Sequence, residues 1–167
     1  MQNISDKFTF ADLFDQFSSG RLDTDDFDTA LWDFVCTLLA RPNVTYEGLP
    51  EPVRLFYASR FVQWDVGNGG FSQAAYNVSE LFEDARCGYL ALGLTDSATL
   101  SARAQQLIKE GHADFSEDPN DIGELFEEFS ESELAKLDVG LDAAGWWATE
   151  KRSAYALANR ASFESVA

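Results

Sequence analysis

Apolar residues recur every three or four positions along nearly the whole chain, and this period constrains the fold more than any other feature. Phe27, Leu31, Phe34, Val35, Leu38 and Leu39 follow it, as one face of an α-helix does. Val53, Phe56, Tyr57, Phe61 and Trp64 make a second stripe, with Leu55 and Val62 lying off it. That is the pattern of a central helix buried on more than one side. No segment alternates apolar and polar residues as a half-buried strand does. The 167 residues are 46% hydrophobic and 14% aromatic, enough to build a core without disulfides or metals. The expected fold is all-α, a single compact multi-helix domain over residues 1–167, with no fixed-period repeat and no dividing linker.

Local signals place the helices. Phe10, Leu13, Phe14 and Phe17 predict a short helix closed by Ser19-Gly20. Thr24 reads as an N-cap, with Asp25 and Asp26 in the first turn where the helix dipole favours negative charge. Arg41-Pro42 ends that helix. The next runs from about Pro52 to Val66 and stops at Gly67-Asn68-Gly69-Gly70, a strong breaker. Phe71 to Asn77 then form one or two turns. Two further helices start near Ser79 and Ser97, burying Leu81, Ala85, Gly88, Tyr89 and Leu92, then Leu100, Ala104, Leu107 and Ile108. Asp118-Pro119 is an N-cap followed by proline; it opens a helix whose Ile122, Leu125, Phe126 and Phe129 face inward. Ser130-Glu131-Ser132-Glu133 is a capping-box signature for a helix burying Leu134, Leu137 and Leu141. Trp146-Trp147 read as core, with an interface as the alternative, and lead into a last helix near Thr149 to Ala161.

Charge narrows the function. Twenty-nine acids against 12 bases give −17, which argues against direct binding to nucleic acid or an anionic membrane. It favours a basic partner, a cation or a salt-rich habitat. Residues 111–150 hold twelve acids and one base, whereas residues 51–110 hold seven and five. In the acidic segment the carboxylates alternate with core-type residues. Glu124, Glu127, Glu128 and Glu131 lie opposite the apolar stripe, neighbours separated by ~5 to 6 Å along one helix face. A strand of nucleic acid carries one charge per ~3.4 Å of axis, so a basic groove could read such a rigid row as DNA. The candidate protein-binding residues are therefore Asp114, Glu117, Asp118, Asp121, Glu124, Glu127, Glu128 and Glu131. Asp23, Asp25, Asp26 and Asp28 form a second patch.

Other chemistry is not signalled. No apolar run approaches a membrane span, and no signal peptide is visible at the N-terminus. Cys36 and Cys87 read as reduced core thiols of a cytoplasmic protein. Asp114-x-Ser116-x-Asp118 begins like an EF-hand loop, but Pro119 and Leu125 occupy its required glycine and glutamate positions. His112 stands alone, without a positioned nucleophile. No metal site, cofactor or enzymatic activity is expected.

The most specific segment is Trp64-Asp65-Val66-Gly67-Asn68-Gly69-Gly70-Phe71-Ser72-Gln73. Physically it is a helix end, a turn needing positive φ and a re-entry anchored by Phe71. With Tyr76-Asn77 and the helix Ala85 to Gly93, it resembles the signature of an acidic bacterial DNA-mimic family with an NGGF-Q motif. The resemblance covers residues 50–110 and implies an all-α fold. It also implies that at least one member occupies the DNA-binding surface of a helix-turn-helix regulator and so relieves repression. The motif marks scaffold, so it transfers fold more directly than function.

The expectation is a DNA mimic that competes with DNA for a basic DNA-binding protein, such as a helix-turn-helix regulator or nucleoid protein. A homodimer would suit the two half-sites of a dimeric regulator. One alternative is an immunity or antitoxin-type inhibitor of a basic nuclease toxin. Another is a helical protein adapted to high salt. Habitat alone would spread the acids over the whole surface, whereas residues 51–110 are nearly balanced.

Overall fold

The computed structural model describes residues 9–113, 115, 122–141 and 148–166. Among these residues the chain is helical and contains no strand. In order, α1 (Phe10–Ser18), α2 (Thr24–Leu39), α3 (Glu51–Val78), α4 (Phe82–Ala91), α5 (Thr95–Lys109), α6 (Ile122–Glu131), α7 (Thr149–Ala158) and α8 (Arg160–Glu164) follow one another. Short 3-10 turns occupy Ser79–Leu81 and Ala135–Gly140. The fold is all-α. It divides into two compact units, one comprising Met1–Tyr57 with Ala148–Ala167 and the other Ala58–Trp147.

The first unit is organised around phenylalanine. Phe163 of α8 meets Phe10, Phe14 and Phe56 edge-on at centroid distances of 5.5, 5.8 and 5.5 Å. Phe17 stacks on Phe27 at 4.2 Å. Burying each such ring contributes about 1.5–3 kcal/mol, and the T-shaped pairs add the attraction of ring edge for ring face. The α1 entry is a capping box: the Thr9 hydroxyl accepts from the Asp12 N–H, and the Asp12 carboxylate accepts from the Thr9 N–H. Its exit turns through Gly20 at φ 73°.

Two details depart from the expected starts. The N-cap of α2 is Asp23, whose carboxylate accepts from the Asp26 N–H at 2.8 Å, and Thr24 is already helical. An ionised carboxylate is the stronger acceptor for an exposed N–H at the positive end of the helix. The helix α5 begins at Thr95, two residues before Ser97, which is fully buried.

Asp28 overturns its place in the surface patch. It is 1% exposed and accepts from Arg152 of α7, with Nε to Oδ1 at 2.8 Å and Nη2 to Oδ2 at 3.3 Å. Asp28 lies on the stripe of Leu31, Val35 and Leu38, so it points into the core with them. Arg152 is also 1% exposed. Beside the pair, the Ser153 hydroxyl donates to the Thr24 carbonyl at 3.3 Å. The two-pronged bond fixes α7 on α2 in register.

In the second unit, α4 and α5 pack against each other across a turn through Gly93 at φ 69°. The Tyr89 hydroxyl donates to the buried Ser59 carbonyl at 2.9 Å, tying α4 to α3. The helix α3 is bent inside its length at Gly69 and Gly70. Where a helix was expected after Ser132, the chain forms the 3-10 turn Ala135–Gly140, burying Leu134 and leaving Leu137 and Leu141 half-buried. The last helix is interrupted at Asn159, so Arg160–Glu164 stands as a separate short helix. Trp146 and Trp147 lie outside the described residues.

Removing one partner of the buried ion pair strands the other charge in the core. Asp28→Ala or Arg152→Ala should each lower unfolding stability by about 3–5 kcal/mol, measured by urea denaturation. Asp25→Ala, on the exposed first turn, should change it by less than about 1 kcal/mol.

Candidate functional site

The geometry of the acidic surface begins at the bend in α3. The helix passes through Gly67 and Asn68 and breaks at Gly69 and Gly70, two residues later than the expected stop. A helix tolerates glycine at a penalty of about 1 kcal/mol; the break sits where the backbone leaves the helical region altogether. Gly70 has φ 76° and ψ −177°, a region essentially reserved for glycine. A Cβ at this position would meet Asp138 Oδ2 at 2.2 Å.

Restarting a helix leaves its first N–H groups without helical acceptors. The Phe71 N–H donates to Asp138 Oδ1 at 2.9 Å. Next along the chain, the Ser72 hydroxyl reaches the Phe129 carbonyl in the last turn of α6 at 3.0 Å. The Ser132 hydroxyl reaches the same carbonyl at 2.9 Å and lies 2.6 Å from Ser72 Oγ. Two hydroxyl protons thus serve three contacts around one carbonyl. Ser132 Oγ also accepts from the Ala135 N–H at 3.2 Å, capping the 3-10 turn. The Phe129 carbonyl also accepts from the Ser132 N–H at 3.3 Å, so the exit of α6 is bonded both to its own following turn and to the re-entry of α3.

The bend is closed from within by Asp65, which is 1% exposed. Its carboxylate accepts from Gln73 Nε2 at 3.0 Å and from Asn77 Nδ2 at 3.1 and 3.2 Å. One buried acid thereby joins the helix before the glycines to the helix after them. Phe71 is fully buried. These contacts give Asp65, Gln73 and Asn77 a staple role that the spacing of the motif does not reveal.

The expected surface residues fall into three groups. Glu124, Glu127, Glu128 and Glu131 are exposed on α6, a ten-residue helix without Lys or Arg. At 100° per residue they occupy one sector of the helix. Asp23, Asp25 and Asp26 are exposed at the start of α2, in the other unit, without the buried Asp28. Asp114, Glu117, Asp118 and Asp121 lie outside the described residues, as does the Asp118-Pro119 cap.

The apolar side of α6 differs from expectation in one residue. Phe129 is 6% exposed and Leu125 half-buried, but Phe126 is 55% exposed. Phe126 lies at the edge of the stripe bordered by positions 123 and 130, and its ring touches Phe129 edge-on at 6.2 Å. The side chain of Ile122 lies outside the described residues.

Nearby charges are locally engaged. Glu133 pairs with Lys136, and that hydrogen bond holds its carboxyl below the ordinary range. His112 is exposed, with Nε2 3.9 Å from Glu110 Oε2. Asp138 behaves oppositely: burial raises its pKa, and the Phe71 N–H only partly offsets this. Cys36 and Cys87 are both half-buried and are not joined in a disulfide. Among the described residues, no group of three or more His, Cys, Asp or Glu is placed to hold a metal ion. No described helix is long and apolar enough to cross a membrane.

Residues 47–159 match the family model described as DMP19-like protein. No curated protein and no solved structure matches the chain.

Two substitutions test the junction. Gly70→Ala should destabilise by about 1–3 kcal/mol from backbone strain alone. Asp138→Ala should cost about 1–3 kcal/mol by stranding the Phe71 N–H. Asp138→Asn keeps an acceptor oxygen and removes a half-buried charge. Because the folded-state pKa of Asp138 is raised, its contribution is full below the unfolded-state pKa and is lost as pH rises through the folded one. Asp138→Asn should therefore be at least as stable as wild type at neutral pH. That advantage should vanish below about pH 4 in urea denaturation at the two pH values.

Proposed function

This chain belongs to the DMP19-like protein family, and from that membership we propose that it is a DNA mimic. Its family is one of DNA mimics, which favours a protein partner that binds DNA. Its acidic helix would occupy the basic surface of that partner and compete there with phosphate. The partner class is a helix-turn-helix regulator or a nucleoid protein.

The observation that carries this reading is the exposed sector of Glu124, Glu127, Glu128 and Glu131 on α6. A single carboxylate on a mobile side chain would not imitate a phosphate backbone. Here the helix end is bonded to the re-entry of α3, so the row has a defined direction. Like charges three and four apart destabilise a helix by a few tenths of a kcal/mol per pair. Their repulsion is relieved when lysines and arginines face them. Asp114, Glu117, Asp118 and Asp121 extend the acidic run in sequence toward the start of α6. Asp23, Asp25 and Asp26 offer a second patch.

Capture from cell extract at low and at moderate salt tests this. The expected product is a helix-turn-helix regulator or nucleoid protein that is displaced by duplex DNA. Its affinity should fall about tenfold or more between 50 and 200 mM salt. The variant E124Q/E127Q/E128Q/E131Q should lose most of that affinity and flatten the salt dependence. An affinity indifferent to salt, or unchanged in that variant, would contradict mimicry. A captured basic nuclease, inhibited and with no promoter affected, would identify an immunity-type protein instead.

A further inference from the structure

Phe126 stands 55% exposed on the same helix as the charge row, and what it can add there rests on the mimic reading. Phe126 is not an isolated apolar side chain. It meets Phe129, which packs against Tyr76 at 5.7 Å and Phe115 at 4.8 Å. Tyr76 is itself 40% exposed. Two exposed rings, Phe126 and Tyr76, thus flank the buried Phe129, and exposed aromatic residues grouped in this way mark an interaction site more often than a scattered single residue does.

Its setting selects the occupant. On the wheel of α6, the positions between Phe126 and the glutamate sector are 123 and 130, which hold glycine and serine. No bulky residue stands between ring and carboxylates at those positions. With four glutamates and no base on α6, an acidic or anionic occupant is repelled. A purely apolar one would desolvate carboxylates without pairing them. A guanidinium satisfies both halves of the surface. It is planar, weakly hydrated and stacks on aromatic faces, and its five N–H donors match carboxylates; a lysine ammonium does this less well.

We propose that Phe126 anchors an arginine side chain of the basic partner, with the guanidinium face on the ring and its N–H groups directed across the Gly123 and Ser130 positions to the glutamate sector. The row then supplies long-range, salt-sensitive attraction, and the ring supplies a short-range preference for arginine over lysine.

Labelled oligoarginine and oligolysine peptides of equal length, titrated into the full chain by fluorescence anisotropy at two salt concentrations, test this. Wild type should bind the arginine peptide about two- to fivefold more tightly than the lysine peptide. Phe126→Ala and Phe126→Leu should abolish that preference, while lysine-peptide affinity and salt dependence stay unchanged. The ring is more than half exposed, so unchanged thermal midpoints should accompany both variants. Equal affinity for the two peptides in wild type, or a preference that survives both substitutions, overturns the anchor and leaves the acidic row standing. If E124Q/E127Q/E128Q/E131Q binds both peptides as wild type does, the mimic surface fails, and the anchor fails with it.

Discussion

The acidic helix depends on one repaired break. Splitting α3 at Gly69 and Gly70 leaves N–H groups at the start of a new helical segment without acceptors. Ending α6 leaves carbonyls without donors. The Phe71 N–H finds Asp138, and the Ser72 hydroxyl finds the Phe129 carbonyl. Asp138 thus supplies the acceptor that the re-entry of α3 lacks, and Ser72 adds a donor to a carbonyl that Ser132 also serves. The Ser72 hydroxyl bond and the Tyr76–Phe129 ring contact then hold α6 against the helix after the bend.

The same junction explains why so acidic a helix can be tolerated. Four glutamates on ten residues repel one another, and isolated helices of that length are marginal in water. Tertiary contacts must therefore hold α6. Phe129 and Leu134 are buried beside the serine cluster, and Asp65 closes the bend through Gln73 and Asn77. The stabilising apolar and polar contacts lie on one side of α6 and the repulsive charges on the other, where a cationic partner would relieve them.

Much of this was legible in the sequence, and the failures have physical causes. Helical period and turn residues located nearly every element, because a face that must be buried repeats at 3.6 residues wherever it lies. The glycine cluster announced a turn, but four breakers in a row could not say which two leave the helix; Asp138, far along the chain, decides at Gly70. Asp28 shares the stripe of Leu31 and Val35, a signal of burial that was present, but its partner Arg152 lies 124 positions away, beyond any local pattern. Phe126 read as core because it is apolar and at the right period, whereas the period gives direction and not depth. Between Tyr57 and Ala58 the boundary of the two units falls inside a helix, where no composition change could mark it.

Hydrogen exchange of the full chain, free and bound to a captured basic DNA-binding protein, measures most directly whether α6 is the contact surface. The expected result is slowed exchange concentrated in residues 122–131 on binding, reversed by duplex DNA. Unchanged exchange in α6, with protection confined to α4 and α5, would contradict the assignment of the acidic helix as the DNA-like face.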